Sequence, residues 1–147
     1  MLKAAVIGLA FLLPTVAVLA EGEVAEVLIN GNDQMKYDVE KFEVKAGQKV
    51  KLTLKNVGML PKAAMGHNFV LLKAGTDVTA FAMEAMKFPK KEYLPDSMKG
   101  AIIVHTKQLG PDESHTIEFT APAPGKYDYI CTFPGHYALM KGVMTVK

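Results

Sequence analysis

Past residue 20 the chain alternates apolar and polar residues in short runs divided by turn-forming residues. The clearest run is Lys49-Val-Lys-Leu-Thr-Leu-Lys55, in which Val50, Leu52 and Leu54 fall on one face and lysines and a threonine on the other. A strand repeats every two residues, so this run predicts a strand with one buried and one wet face, as in antiparallel sheets. Val24 to Ile29 predicts another strand, stopped by the turn cluster Gly31-Asn32-Asp33. Met35, Tyr37 and Val39 alternate with polar residues, as do Phe42 and Val44 after Glu40-Lys41. His67 to Leu72 is largely apolar and predicts a central strand. Ala101 to Val104, the run through Ile117 and Phe119, the face shared by Tyr127, Tyr129 and Cys131, and Val143 to Lys147 complete the set. Asn56 to Met65, with Gly58 and Pro61, and the lysine-rich Lys90 to Gly100 read as loops. One stretch has helical spacing: Val78, Phe81, Ala82 and Ala85, with Thr76 or Asp77 as cap and Pro89 as stop. A single short helix cannot build a layer. The pattern predicts an all-β Greek-key β-sandwich of about eight strands with one short helical flap outside the sheets.

The first twenty residues break this pattern. Lys3 gives a positive start, Ala4 to Leu19 is apolar apart from Gly8, Pro14 and Thr15, and Val18-Leu19-Ala20 offers a small-residue cleavage site. A spanning helix takes about 20 apolar residues; Pro14 and the acidic Glu21-Gly-Glu23 argue against one. The expectation is a cleaved secretory signal over 1–20, export to the periplasm, and a single domain over 21–147 without stable membrane insertion. All seventeen basic residues are lysines, and residues 21–147 hold sixteen of them against fifteen acids. A nearly neutral chain without arginine lacks the forks that read phosphate and guanine, so nucleic acid is not an expected partner.

Candidate chemistry concentrates near the C-terminus. Cys131-Thr-Phe-Pro-Gly-His136-Tyr-Ala-Leu-Met140 holds the only cysteine, a histidine five positions on, and a methionine four after that. Alone, Cys131 is as readily a buried structural thiol or an intermolecular bridge as a functional residue. With His136 and Met140 it forms a soft-donor set, which favours copper over magnesium or calcium. Pro134-Gly135 can bend the chain so that all three return to one point. A mononuclear blue-copper site uses one thiolate, two imidazoles and a weak axial sulfur. This loop is one imidazole short.

His67 is the candidate for the second. A lone histidine is more often a core or surface residue than a ligand, but Gly66 permits close backbone approach and the strand after His67 would anchor it. Asn68 could donate to the sulfur or tie the two ligand segments together. His105 and His115 lie in polar surroundings and read as exposed and unliganded. Of the nine methionines, Met35, Met59, Met65, Met83 and Met86 read as core or rim residues.

The Cys131–Gly142 stretch resembles the copper loop of the azurins, a branch of the type 1 blue-copper (cupredoxin) family. Met65-Gly-His67-Asn-Phe-Val-Leu71 is similar to their first-histidine segment, and Gly31-Asn-Asp-Gln-Met35, Leu60-Pro-Lys62, Glu92-Tyr-Leu94 and His105-Thr-Lys107 fit the same family. Four residues between Cys131 and His136, then three before Met140, match that branch. The resemblance implies one mononuclear copper cycling between Cu(II) and Cu(I). It implies His67, Cys131 and His136 as equatorial ligands, Met140 as a long axial ligand and the Gly66 carbonyl as a weak contact. It further implies sulfur-side hydrogen bonds from Asn68 and the Phe133 backbone, and single-electron exchange with c-type cytochromes or a terminal reductase by a monomeric carrier. Electrons would pass at His136, whose ring would reach the surface inside an apolar collar of Leu60, Met65, Pro134, Leu139 and Met35.

Departures are visible too. Azurins generally carry a disulfide, which a single cysteine cannot make, so packing and metal must supply that stability. Phe69 stands where many have a buried tryptophan, and Asn56 where some have a histidine. Copper oxidases and nitrite reductases need further histidines that this chain lacks. A periplasmic copper-storage or delivery protein is the rival reading, and a zinc site with the same ligands would leave Met140 without a purpose.

Overall fold

The computed structural model describes residues 22–147; the expected signal segment, 1–20, lies outside the described residues. Among the described residues nine strands form two sheets. The four-stranded sheet has the order β2 (Lys36–Tyr37), β1 (Ala25–Asn32), β4 (Lys49–Asn56), β7 (Ser114–Thr120). The five-stranded sheet has the order β3 (Lys41–Val44), β9 (Lys141–Val146), β8 (Gly125–Ile130), β5 (Val70–Leu72), β6 (Ile102–His105). The two-residue β2 is the strand beyond the expected eight.

Val50, Leu52 and Leu54 point inward as their spacing predicts, and all three are buried. The sheet around them is mixed, however, not antiparallel throughout. β4 runs antiparallel to β7 but parallel to β1. The reason is the path between them: after β2 the chain crosses to the other sheet as β3, so it returns beside β1 in the same direction. β3 and β9 likewise pair in parallel. Inward residues of both sheets meet in one core that includes Ile29, Leu52, Leu54, Phe69, Leu71, Tyr129 and Met144. Phe69 fills the centre against Tyr129, with ring centroids 5.0 Å apart.

The short helices are more numerous than the spacing suggests. α1 (Lys62–Met65) lies inside the stretch expected to be loop. α2 (Val78–Ala85) starts at Asp77, whose carboxylate accepts from the Ala80 N–H at 2.9 Å, the ordinary way to satisfy a free N–H at a helix start. α2 stops at Ala85, before Pro89, because the chain tightens into turns at Lys87 and Phe88. Its buried Phe81 and Ala82 cover Val70, Leu72 and Ile130 on the outer face of the five-stranded sheet, so the flap is where the pattern placed it. Lys90 to Gly100 is not plain loop but holds parts of two 3-10 turns, Pro89–Lys91 and Asp96–Ala101. β5 is shorter than expected because His67 leaves its line to bridge Leu109 instead. β1 runs on to Asn32, and the turn falls at Asp33 to Met35.

Gly142 in β9 lies opposite Tyr129 of β8. A methyl there would run into the Tyr129 ring and come within 2.6 Å of the Glu40 carbonyl. Tyr129 cannot easily yield, since its hydroxyl donates to the Val39 carbonyl at 2.6 Å. Gly142→Ala is therefore expected to lose at least about 1–3 kcal/mol in urea unfolding. Gly100→Ala, which meets open space, is expected to be near neutral; equal effects of the two would contradict this packing.

Candidate metal centre

Strand β8 delivers Cys131 to one end of the core, where it is fully buried. The loop after it closes through backbone bonds: His136 N–H to Phe133 O at 3.0 Å, Met140 N–H to His136 O at 2.7 Å, and Cys131 N–H to Met140 O at 3.0 Å. The reversal needs a left-handed residue, and Gly135 supplies it at φ 81°. These bonds bring His136 Nδ1 to 3.5 Å from Cys131 Sγ. Met140 is completely buried at the same end.

The second segment arrives from the other direction. His67 and Leu109 exchange two backbone bonds, 3.0 and 2.7 Å long, which fix the His67 backbone. Donor atoms of His67, Cys131 and His136 all lie within 4.8 Å of one another, and the two imidazole centroids are 5.2 Å apart. The Gly66 carbonyl is 3.9 Å from Sγ.

Asn68 locks the segments together. Its Nδ2 donates to Thr132 Oγ1 and its Oδ1 accepts from the Thr132 N–H, each at 2.8 Å. The backbone N–H groups of Asn68 and Phe133 both act on the thiol, each favouring its charged form. Sequence reasoning did not identify three participants. Thr132 is the other half of that lock, and buried Tyr37 donates from its hydroxyl to the Asn68 carbonyl at 2.5 Å. Gly31 is the third: a Cβ there would sit 2.7 Å from Met140 Cε and 3.2 Å from the His67 ring. The turn-forming sequence around Gly31 masked its role as a floor beneath two site residues.

The electrostatics are those of a dry cluster without carboxylates. Burial pushes the Cys131 thiol up to about 12, with the two backbone N–H groups opposing. Burial, then the neighbouring His67, lowers His136 to about 4. Burial also lowers His67; the Asn32 and Gly66 carbonyls and Asp33 oppose that shift. Yet neither ring nitrogen of His67 makes a hydrogen bond of ordinary geometry. A buried imidazole with both nitrogens unpartnered is costly, and a metal ion is what this donor set would satisfy. Two imidazoles, a thiol and a nearby thioether suit copper, and the cation itself would drive off the thiol proton. The residues fit the group.

The family comparison agrees with this geometry. Residues 24–147 match the copper binding proteins of the plastocyanin/azurin family. The chain belongs to that family. It is 38% identical over 127 residues to azurin of Pseudomonas fluorescens biotype C, spanning 83% of this chain and 98% of the relative. It is 37% identical over 122 residues to outer membrane protein H.8 of Neisseria meningitidis, covering 80% of this chain and 65% of that one. Among solved structures, reduced auracyanin of Roseiflexus castenholzii superposes with a TM-score of 0.76 at 42% identity, covering 86% of this chain and 99% of the other. Auracyanin A of Chloroflexus aurantiacus, titled a "blue" copper protein, gives 0.77 at 33% identity, covering 85% and 100%. The two sheets are thus a cupredoxin fold, and His67, Cys131 and His136 are arranged as a metal site consistent with one type 1 copper.

His105 is exposed, as expected. His115 is not in an open turn but half-buried in β7, where its Nδ1 accepts from the Lys107 N–H at 3.0 Å. Leu60 and Leu139 are 43% and 53% exposed, while Met35, Met65 and Pro134 are half-buried. Asp33 accepts from the Met59 N–H at 2.8 Å, which ties the Met59-Leu60 loop to the Met35 turn. Of the methionines expected in core or rim, Met59 and Met83 are instead exposed, at 88% and 51%. His136 differs from expectation. Its ring is only 2% exposed because Phe133 packs on it at 4.6 Å, so its access to solvent is a sliver.

Both imidazoles are held neutral in the fold, so the unfolded chain binds more protons once pH drops below its ordinary histidine pKa of about 6.5. The metal-free protein should keep full stability above that value and lose it progressively toward pH 4, where His136 protonates in the folded state. Urea midpoints measured at intervals across that range should fall as pH falls. A flat profile would show that the imidazoles are not buried as described.

Proposed function

We propose that the chain is an exported type 1 copper protein that carries single electrons between redox partners and catalyses no reaction of its own. Residues 1–20 serve as a cleaved signal and 21–147 as the mature periplasmic domain. Among the described residues no helix is long and apolar enough to cross a membrane. The single observation that carries the reading is the convergence of His67, Cys131 and His136 in a buried group without carboxylates. In this reading these three hold the metal, with Met140 and the Gly66 carbonyl as weaker neighbours on either side.

When bound, copper supplies the one-electron Cu(II)/Cu(I) couple. The protein's part is geometry, polarity and access. Asn68 and Thr132 hold the two ligand segments at fixed separation, so the donors need little movement when charge changes. The N–H groups of Asn68 and Phe133 stabilise negative charge on the Cys131 sulfur. Burial excludes water from the site. The rim of Leu60, Met65, Pro134, Leu139 and Met35 gives a small apolar surface, the kind that suits brief redox encounters. C-type cytochromes or a terminal reductase are the partner classes this reading assigns, with the carrier acting as a monomer.

A copper-delivery protein is the alternative, and it would keep its metal exchangeable as Cu(I). The visible spectrum of the copper-loaded, oxidised protein separates the two. An intense red-region band that disappears in Cys131→Ser is the expected result; a colourless Cu(II) complex would favour delivery.

A further inference from the structure

His136 is nearly covered, so the rings packed on it decide where its side of the site meets solvent. Phe133 lies 4.6 Å from His136, and Tyr93 meets Phe133 edge-on with centroids 5.3 Å apart. Both Phe133 and Tyr93 are half-buried, so this run of rings reaches the surface. The segment that presents Tyr93 is strained: Glu92 and Tyr93 are consecutive non-glycine residues in the left-handed region, at φ 53° and 59°. The strain is held by contacts to both sides of the site. Asn68 Nδ2 donates to the Glu92 carbonyl at 3.4 Å, the Gln108 N–H donates to its carboxylate at 3.3 Å, and Lys62 pairs with it at 3.8 Å. Tyr93 N–H itself donates to the Phe88 carbonyl at 3.0 Å.

Charge is segregated around the same segment. Residues 87–107 hold five lysines against two acids, with Glu84 bound to the segment through Lys87 and Ser97, whereas the remainder of 21–147 without Glu84 holds eleven lysines against twelve acids. Among the described residues, Lys90 and Lys99 have no carboxylate partner, and Lys91 is shared with Asp96. Lys91 with its partner Asp96, Lys99 and His105 border a cavity of about 400 Å³ whose walls include Leu94, Ile102 and Val104. The last two belong to β6, an edge strand with one free side.

We propose that the face around Tyr93 is a docking surface for an acidic redox protein, with Tyr93 and Phe133 connecting it to the metal centre apart from the Leu60–Leu139 rim. The proposal rests on the electron-carrier reading for its purpose, but its charge geometry is independent of it. A net-positive face on a domain that is negative elsewhere orients an acidic partner during approach. Apolar walls beside the unpaired Lys99 and the nearby Lys90 suit an apolar side chain flanked by carboxylates. The step served is a single-electron exchange: haem iron(II) of the partner becomes iron(III), cupric ion becomes cuprous, and no proton or bond changes.

Two measurements test it. Stopped-flow rates are compared for reduced c-type cytochromes of opposite net charge reacting with the oxidised copper-loaded protein. The acidic cytochrome is expected to react faster at low salt. Lys90→Glu/Lys99→Glu should slow it about tenfold or more, an effect that disappears near about 0.5 M salt, while Lys126→Glu leaves it nearly unchanged. Tyr93→Leu should lower its limiting rate at saturation without changing the half-saturation concentration. Equal slowing of both cytochromes by the double reversal, a loss found with Leu60→Glu and not with the reversal, or an unaffected limiting rate in Tyr93→Leu would overturn the proposal. The metal-free protein is separately titrated with the redox-inert anion hexacyanocobaltate(III) and followed by amide NMR. Shifts should centre on Lys90, Lys91, Tyr93 and Lys99 and vanish in the double reversal; shifts spread over all lysines would overturn the proposed face. If the anion maps there but neither cytochrome exchanges electrons, the electron-carrier reading fails and the anion-binding surface stands.

Discussion

Two hydrogen bonds between Asn68 and Thr132 hold this site together. They join segments 64 positions apart in the chain, one carrying His67 and the other Cys131 and His136. An amide that both donates to a side chain and accepts from a backbone N–H fixes position and rotation together. Both groups are buried, so breaking either bond leaves polar atoms without water. Tyr37 extends the lock by capping the Asn68 carbonyl, and Tyr37 in turn packs against Tyr129 at 5.7 Å. The metal centre is therefore continuous with the core of the sandwich, not an appended loop.

The sheets explain why the donors can be dry and close. β8 and β5 pair as neighbours in the five-stranded sheet, so the residues just beyond Ile130 and just before Val70 leave it side by side. Thr132 and Asn68 occupy those positions. Gly31 on β1 supplies the facing wall, and its missing side chain gives Met140 and His67 their room. The cost of this arrangement is a thiol and two imidazoles in surroundings that disfavour their charged forms. A bound cation reverses that balance, which couples metal binding to stability.

Much of this was legible in the sequence for physical reasons. Period-two alternation at Val50, Leu52 and Leu54 gave their buried face, because one-sided burial imposes that spacing. The Cys131–Met140 loop was legible because its donors are local and Gly135 marks the reversal. His67 was harder, since nothing local distinguishes a ligand from a core histidine; the family resemblance supplied what spacing could not. The parallel pairing of β1 with β4 was not legible, because alternation carries no strand direction. Nor was the role of Gly31, Thr132 or Tyr37, whose contacts are long-range and whose residue types are ordinary in turns, strands and cores. The burial of His136 was missed because exposure of a loop residue depends on its neighbours, here Phe133.

The central claim is that one copper ion is held by the sulfur of Cys131 and the imidazoles of His67 and His136. Copper K-edge X-ray absorption of the loaded protein, in both oxidation states, tests it most directly. The account predicts one short sulfur scatterer and two imidazole nitrogens with little change between the states. A shell of nitrogen and oxygen alone, or a second copper nearby, would contradict it.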